Sequence, residues 1–465
     1  MLRRTLQIGI GTFLAMLLAG CAVGPNYKRP VVNTPQTFRG APTDAPSTTS
    51  FGDQKWTEIF QDPELQKLIR IALQQNYDVR IAATRILQAQ AQLSITHSDE
   101  FPSAAAIASA NTTRNAASKF FGAYSTNDTE LGLGFQWNLD FWGKYRRATE
   151  SARDQLLANK WAQQEVNMTV VAGVASAYYT LLEQDLQIQI SRKTLASNQD
   201  SLKLTQLLSD HGRTSLLDVR QAEQLVYAAS AAIPNLEKQI QQQENVISIL
   251  VGENPGNVAR GLQLTAQVHS TEVPAGLPSS LLERRPDIRE AEAELMSMNA
   301  QIGVAKAAYY PAINLTSLGG LESVALSKLF TGPAGMWSFA AQLTQPLYAG
   351  GSLRGAVRLS EAQKEQATLT YQQTIQRAFR EVSDGLIAYA KDQEFRKQQE
   401  LLTNSARDAS RLSNLRYKGG AASYLEVLDA ETRQYSAELT LTQAQLNEML
   451  DYVQLYHALG GGWAQ

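Results

Sequence analysis

The sequence predicts a mainly α-helical, internally duplicated chain that lends four strands to a membrane β-barrel. Three observations predict it: one unit of sequence occurs twice, long stretches lack helix breakers, and short segments between them alternate apolar and polar residues. Asn76-Tyr77-Asp78-Val79-Arg80 returns as Arg285-Pro286-Asp287-Ile288-Arg289, Ala91-Gln92-Leu93 as Ala300-Gln301-Ile302, and Phe101-Pro102 as Tyr310-Pro311. One residue closer, Leu139, Gly143 and Arg146 match Leu347, Gly351 and Arg354. Gly212, Leu217-Asp218-Val219 and Ala222-Glu223 match Gly420, Leu425-Glu426-Val427 and Ala430-Glu431. The register slips once, by a single residue, so each half repeats the same order of elements.

At the amino terminus, residues 1–20 read as a signal peptide: Arg3 and Arg4 precede an apolar run from Ile8 to Leu18 that is too short to remain as a spanning helix. Leu18-Ala19-Gly20-Cys21 matches a bacterial lipobox, in which the Cys21 thiol is acylated and heads the mature chain. Several acyl chains hold a protein stably to a bilayer where one alone does not. Ala22 rather than Asp follows the cysteine, which favours the outer membrane. Residues 21–60 are then an acylated leading segment, 61–265 the first repeat, 266–280 a linker and 281–465 the second repeat.

Within each repeat, proline and glycine mark the elements. No Pro lies between Pro102 and Pro234, and none follows Pro346. Gly173 alone interrupts Lys144 to His211, and Gly385 alone interrupts Ala356 to Lys418. Stretches of that length suit helices of roughly 90 to 100 Å. Val219, Ala222, Val226, Ala229, Ile233, Leu236, Ile240, Gln243, Ile247 and Leu250 alternate steps of three and four. Leu425, Leu428, Thr432, Tyr435, Leu439, Thr442, Leu446, Met449, Val453 and Tyr456 do the same, while Leu181, Ile188, Leu195 and Leu202 keep a strict seven. Such spacing makes coiled-coil seams. Gly212 and Gly419-Gly420 break the pattern and turn each long helix back as a hairpin. Pro234 lies inside the third helix, where it removes one backbone donor and is expected to bend it.

A different period occupies the segments between helices. From Leu131 to Phe141 the odd positions are Leu, Phe or Trp and the even ones are Gly, Gln, Asn or Asp. That is the pattern of a membrane strand with one face on lipid and one on water. Trp337, Phe339, Ala341 and Leu343 alternate likewise in the second half, Ile313 and Leu315 begin its partner, and an Ala/Ser-rich run follows Pro102. Each half therefore carries one β-hairpin, about 103–141 and about 312–348, with turns expected near Phe121–Asp128 and Leu329–Gly335. Four strands cannot close a barrel, and open edges are not tolerated in hydrocarbon, so they must join strands of other copies. Eight strands would need two chains and twelve would need three.

Lys and Arg number 42 against 44 Asp and Glu, so charge offers no attraction for nucleic acid. Only 18% of residues are charged, and Gln, Asn, Ser and Thr carry the hydrophilicity. One cysteine forms no intrachain disulfide, and the four His, at 97, 211, 269 and 457, have no metal-ligand spacing. With no nucleophile elbow and no phosphate loop, an enzyme reading has no constellation to stand on, and no cofactor is expected.

Cys21-Ala22-Val23-Gly24-Pro25-Asn26-Tyr27-Lys28-Arg29-Pro30 resembles the start of outer-membrane efflux lipoproteins of the TolC, OprM and NodT kind. Trp56 to Arg85, Leu282 to Pro311 and Gly420 to Glu431 are also similar to that family, so the resemblance covers essentially the whole mature chain. It implies a homotrimer with a twelve-stranded barrel in the outer membrane and an α-helical barrel crossing the periplasm. It also implies a passive exit duct of a tripartite system, docked to a periplasmic adaptor and an inner-membrane pump of the RND type. Small molecules such as drugs are the expected cargo; related ducts secrete protein or polysaccharide, and a coiled-coil scaffold is the reading outside the family.

The same resemblance places a closed aperture at the turns near Gly212 and Gly420. Asp218 falls where the family offers a carboxylate and Tyr417 where a tyrosine hydroxyl donates to it; helix capping by Asp218 and simple packing of Tyr417 are the competing assignments. An Arg often found two residues after the second turn's glycine is Ala422 here, as is an aperture Asp of other members, so either the lock is weaker or Arg213 and Arg416 substitute. Glu426 and Asp429, three apart on one helix face, match the acidic aperture rings of TolC-like ducts, and in a trimer they would favour cations.

Overall fold

A computed structural model describes residues 22–41, 50–117, 122–269 and 273–462. The chain packs as two compact units, each drawn from three separated stretches. One takes the amino-terminal segment to Val31, Arg85–Lys160 and Glu290–Gln372; the other takes Val32–Thr84, Trp161–Arg289 and Gln373–Gln465. Both units therefore draw on both repeats.

The helices and strands follow the duplication element by element. After α1 (Trp56–Ile59), α2 (Pro63–Gln75) and α3 (Tyr77–Ser98) come β1 (Ser103–Asn115), β2 (Tyr124–Leu139), α4 (Lys144–Asp210) and α5 (Leu216–Leu250). The second round is α6 (Pro278–Arg284), α7 (Pro286–Ala307), β3 (Ala312–Ser323), β4 (Gly335–Thr344), α8 (Ser352–Lys418) and α9 (Tyr424–Ala458). Corresponding helices have equal lengths: 22 residues for α3 and α7, 67 for α4 and α8, 35 for α5 and α9. At 1.5 Å per residue the longest reach about 100 Å. Helix α5 runs unbroken through Pro234.

In the first unit the strands form one antiparallel sheet in the order β1-β2-β3-β4, so β2 pairs with β3 and joins the two halves. Register sorts the faces. Ala104, Phe135, Ser317 and Phe339 lie in one row, and Ala106, Leu133, Gly319 and Trp337 in the next, which makes this face apolar. Ser103, Gln136, Thr316 and Ala340 form a row of the other face, as do Asn138, Asn314 and Gln342. Small alanines on β1 sit opposite the bulky residues of β2, which accounts for a strand with little alternation of its own. The first turn lies earlier than expected: β2 begins at Tyr124, within the span 121–128 expected to be the loop, because its polar residues pair with β1 as far as Asn115. The second loop is longer than expected, spanning 324–334 with two short 3-10 turns.

The amino-terminal segment is fastened to this unit. Val23 N–H donates to Trp142 O at 3.0 Å, Arg147 Nη2 to Asn26 Oδ1 at 2.7 Å, and Asn299 Nδ2 to Pro25 O at 2.9 Å. Arg29 pairs with Glu292 at 2.8 Å, and Gly24, at φ +109°, lies so close to Gly303 that a Cβ would fall 2.5 Å from its Cα.

In the second unit the helical hairpins pack around buried aromatics, with Phe51 4.9 Å from Tyr452 and 5.3 Å from Tyr456 between ring centroids. Asp62 caps α2 through Glu64 N–H at 2.9 Å, and also accepts from Tyr178 Oη at 3.0 Å, Leu262 N at 2.8 Å and Gln267 Nε2 at 2.9 Å. One buried carboxylate thus ties a helix start, a long helix and the connection between repeats. The predicted seam of α5 buries Val219, Ala222, Ala229, Leu236 and Ile247. On α9 the first turns depart from the expected phase: Leu425 is 60% exposed, while Tyr424, Val427, Glu431 and Glu438 are buried. The two glutamates are tolerated there because Ser201 and Asn414 donate to Glu431, and Arg407 to Glu438 at 2.7 Å.

Candidate functional site

Both hairpin turns are built the same way. Gly212 adopts φ +71° and Gly420 φ +72°, and each ends a long helix with paired backbone bonds. Gly212 N–H donates to Ser209 O at 2.9 Å and Arg213 N–H to Leu208 O at 2.8 Å; Gly420 N–H donates to Tyr417 O at 2.9 Å and Ala421 N–H to Arg416 O at 2.8 Å. This is the Schellman closure, and its left-handed residue is why glycine stands at both turns.

The residues expected to form an aperture lock are not joined within the chain. Asp218 completes a capping box with Ser215: its N–H donates to Ser215 Oγ at 3.2 Å, and its Oδ2 accepts from Ser215 N–H at 3.0 Å and from Thr214 Oγ1. Partial burial alone would raise its pKa, but the Thr214 and Ser215 hydrogen bonds outweigh it and hold the carboxyl below its ordinary value. Tyr417 instead packs edge-on against Tyr424, 5.5 Å between centroids, and its buried hydroxyl has no hydrogen-bond partner among the described residues. Arg213 is exposed and forms no ion pair among those residues. Arg416 donates to Ala421 O at 3.2 Å and lies 3.6 Å from Glu426, so it serves its own hairpin.

Each acid of the expected ring has a basic neighbour on the same hairpin. Asp429 accepts from Arg433 Nε at 2.8 Å one helical turn away, and Glu426 has Arg416. Both pairs are well exposed, so solvent screens them. The i, i+4 spacing of Asp429 and Arg433 is the signal in the sequence that would have found this partner. Tyr424, which packs on Tyr417, and the buried Glu431 were hidden by the assumption that Leu425 marks the buried face. Cys21 lies outside the described residues; its neighbour Ala22 packs on Gly143, between the end of β2 and the start of α4.

A four-stranded sheet with one apolar face and two outer edges unpaired among the described residues, in a chain whose other long elements are helical hairpins, is the pattern of an outer-membrane channel subunit. Residues 68–253 and 277–461 each match the family described as outer membrane efflux protein. The chain belongs to this family, with one matched stretch in each half of the duplication. The antibiotic efflux pump outer membrane protein ArpC of Pseudomonas putida is 36% identical, the match covering 97% of this chain and 94% of ArpC. The probable outer membrane lipoprotein SilC of Salmonella typhimurium is 32% identical over 97% of both chains. The open-state structure of the MtrE outer membrane channel of Neisseria gonorrhoeae superimposes with a TM-score of 0.87 at 30% identity, covering 95% of this chain and 99% of that one.

Proposed function

We propose that three copies of the chain close a twelve-stranded barrel in the outer membrane, and that the assembly is the passive exit duct of a tripartite pump for small molecules such as antibiotics. The observation that carries this reading is the sheet: Leu133, Phe135 and Trp137 present an exposed apolar face, while the outer edges of β1 and β4 are unpaired among the described residues. In hydrocarbon those edges require strands from other copies. The duct receives its cargo from an inner-membrane RND-type pump through a periplasmic adaptor, and the efflux role of ArpC supports small molecules as that cargo. Cys21 is acylated and anchors the assembly; the seating of Ala22 and Val23 beside Trp142, at the end of the strands, supports an anchor held at the membrane boundary.

The duct requires no covalent chemistry. Its aperture lies at the Gly212 and Gly420 turns, where Glu426 and Asp429 set a cation preference that Arg416 and Arg433 moderate. Purified protein in a planar bilayer is expected to give unitary conductance steps. Glu426→Gln with Asp429→Asn is expected to lower cation preference, and Arg433→Ala to raise it. Absence of conductance steps refutes the duct, and identical reversal potentials in all three proteins remove these residues from the constriction.

A further inference from the structure

The two turns that lead from strand to long helix correspond residue for residue: Asp140, Gly143, Arg146 and Glu150 fall opposite Tyr348, Gly351, Arg354 and Arg358. Both turn through a left-handed glycine, Gly143 at φ +76° and Gly351 at φ +86°. In the first repeat the arginine has an anion of its own. Asp140 Oδ2 accepts from the Arg146 backbone N–H at 2.9 Å and from its Nε at 3.3 Å, and Asp140 O accepts from its Nη2 at 3.1 Å. The amino-terminal segment covers that turn, with Ala22 placed 2.8 Å from where a Cβ on Gly143 would stand.

The second repeat keeps the arginine and changes what answers it. Tyr348, 92% exposed, takes the Asp140 position, and Arg358 takes that of Glu150, which in the first repeat pairs with Arg147 at 2.7 Å. Arg354 and Arg358 are exposed, one helical turn apart at the start of α8, and neither forms an ion pair among the described residues. The first acid along the helix, Glu361, is paired with Lys306 at 3.3 Å. Like charges at this spacing repel, and a cation in the first turn opposes the helix dipole. Beside them Leu347 is 94% exposed, and Leu343 ends the exposed apolar face of β4. A Cβ on Gly351 would meet nothing within 4 Å, so no described segment covers this turn.

We propose that the second turn binds the phosphate of an anionic phospholipid in the periplasmic leaflet of the outer membrane. The phosphate takes the part that Asp140 plays in the first repeat, accepting from the Arg354 and Arg358 guanidinium groups, while the acyl chains run along Leu347, Leu343 and the apolar face of the sheet. Tyr348 lies at headgroup level, the depth at which tyrosine is enriched. A choline headgroup would set a fixed positive charge beside two arginines, and free phosphate would leave Leu343 and Leu347 in water.

The test is native mass spectrometry of the full-length, membrane-extracted and delipidated protein, titrated with dioleoylphosphatidylglycerol or dioleoylphosphatidylcholine. Phosphatidylglycerol is expected to bind about tenfold or more tightly than phosphatidylcholine. Arg354→Ala with Arg358→Ala is expected to weaken phosphatidylglycerol binding by about tenfold or more, as loss of hydrogen bonds to a charged group does. Tyr348→Asp keeps both arginines and rebuilds the pairing of the first repeat, so it is expected to weaken binding likewise, and it decides the matter if the double variant fails to fold. Arg146→Ala, at the turn already supplied by Asp140, is expected to leave binding unchanged. The site is overturned if phosphatidylcholine binds equally well, if the variants at the second turn bind as wild type, or if Arg146→Ala loses as much as they do. It is also overturned if inorganic phosphate at equal concentration displaces the lipid, or if a folded double variant no longer assembles, which assigns the arginines to a neighbouring copy. Lipid binding is read without conductance, so its failure and that of the duct are separate results.

Discussion

Asp218 takes hydrogen bonds from Thr214 and Ser215, which leaves it occupied at its own helix start rather than reaching for Tyr417. Asp218→Ala is therefore expected to cost about 1 kcal/mol of stability, the usual loss of an N-terminal cap, without changing resting conductance. Chemical denaturation with bilayer recordings checks this, and an open resting channel in the variant would restore the lock. A second carboxylate makes the opposite case. Burial raises Asp451 to about 7, with further contributions from the charge and hydrogen bond of Asp392 on α8 and from Glu448 one turn back on α9. Glu448 itself is engaged by His269 at 2.9 Å and by Arg396. Because Asp451 holds its proton more tightly folded than unfolded, its contribution to stability is full below about pH 4 and is lost as pH rises through about 7. Asp451→Asn should flatten the stability profile across that window, measured by thermal unfolding at stepped pH. An unchanged slope would show that Asp451 does not titrate in that window.

The strands and helical seams differ in how far local pattern determines their packing. Phe135 and Gln136 are neighbours on β2 but lie on opposite faces of the sheet. Phe135→Arg is expected to destabilise the inserted sheet by about 2 to 4 kcal/mol near mid-membrane, while Gln136→Arg on the polar face is tolerated. The yield of heat-resistant assembly in outer membranes reports the difference, and equal yields would overturn the assignment of faces. Period two was legible on β2 because large apolar side chains mark it; β1 was not, because its alanines take their place from the bulk opposite. On α9 the three-four spacing correctly indicated a long helix, but its first turns bury Tyr424, Val427 and Glu431 while Leu425 is exposed and Leu428 only partly buried. A seam is chosen by the partner helix, here through Ser201 and Asn414, and spacing alone does not contain the partner.

For the whole molecule, insertion and anchoring are separable. Cys21 is the sole thiol, so Cys21→Ser is expected to abolish palmitate labelling while leaving conductance steps intact, since the apolar face and the free edges do not depend on it. Label retained by the variant would remove the lipoprotein assignment. No described helix is long and apolar enough to cross a membrane, so the sheet is the element available for insertion among the described residues. The duplication supplies two hairpins per chain, and the pairing of β2 with β3 makes them one continuous sheet.

The sequence by itself determined the duplication, the long helices, the turns at Gly212 and Gly420, the apolar alternation of β2 and the family. Each of these is a local or periodic property: breakers stop helices, left-handed turns call for glycine, and a half-buried strand repeats every second residue. Only the tertiary structure decided the sheet order, the extent of the loops, the buried phase of α9, the Asp62 junction and the company of each candidate gate residue. Those depend on which distant side chain supplies a donor, a charge or a surface. Asp218 and Tyr417 look alike as lock candidates along the chain, and they part because one finds donors within four residues while the other packs its ring on Tyr424 across the turn, its buried hydroxyl without a partner among the described residues.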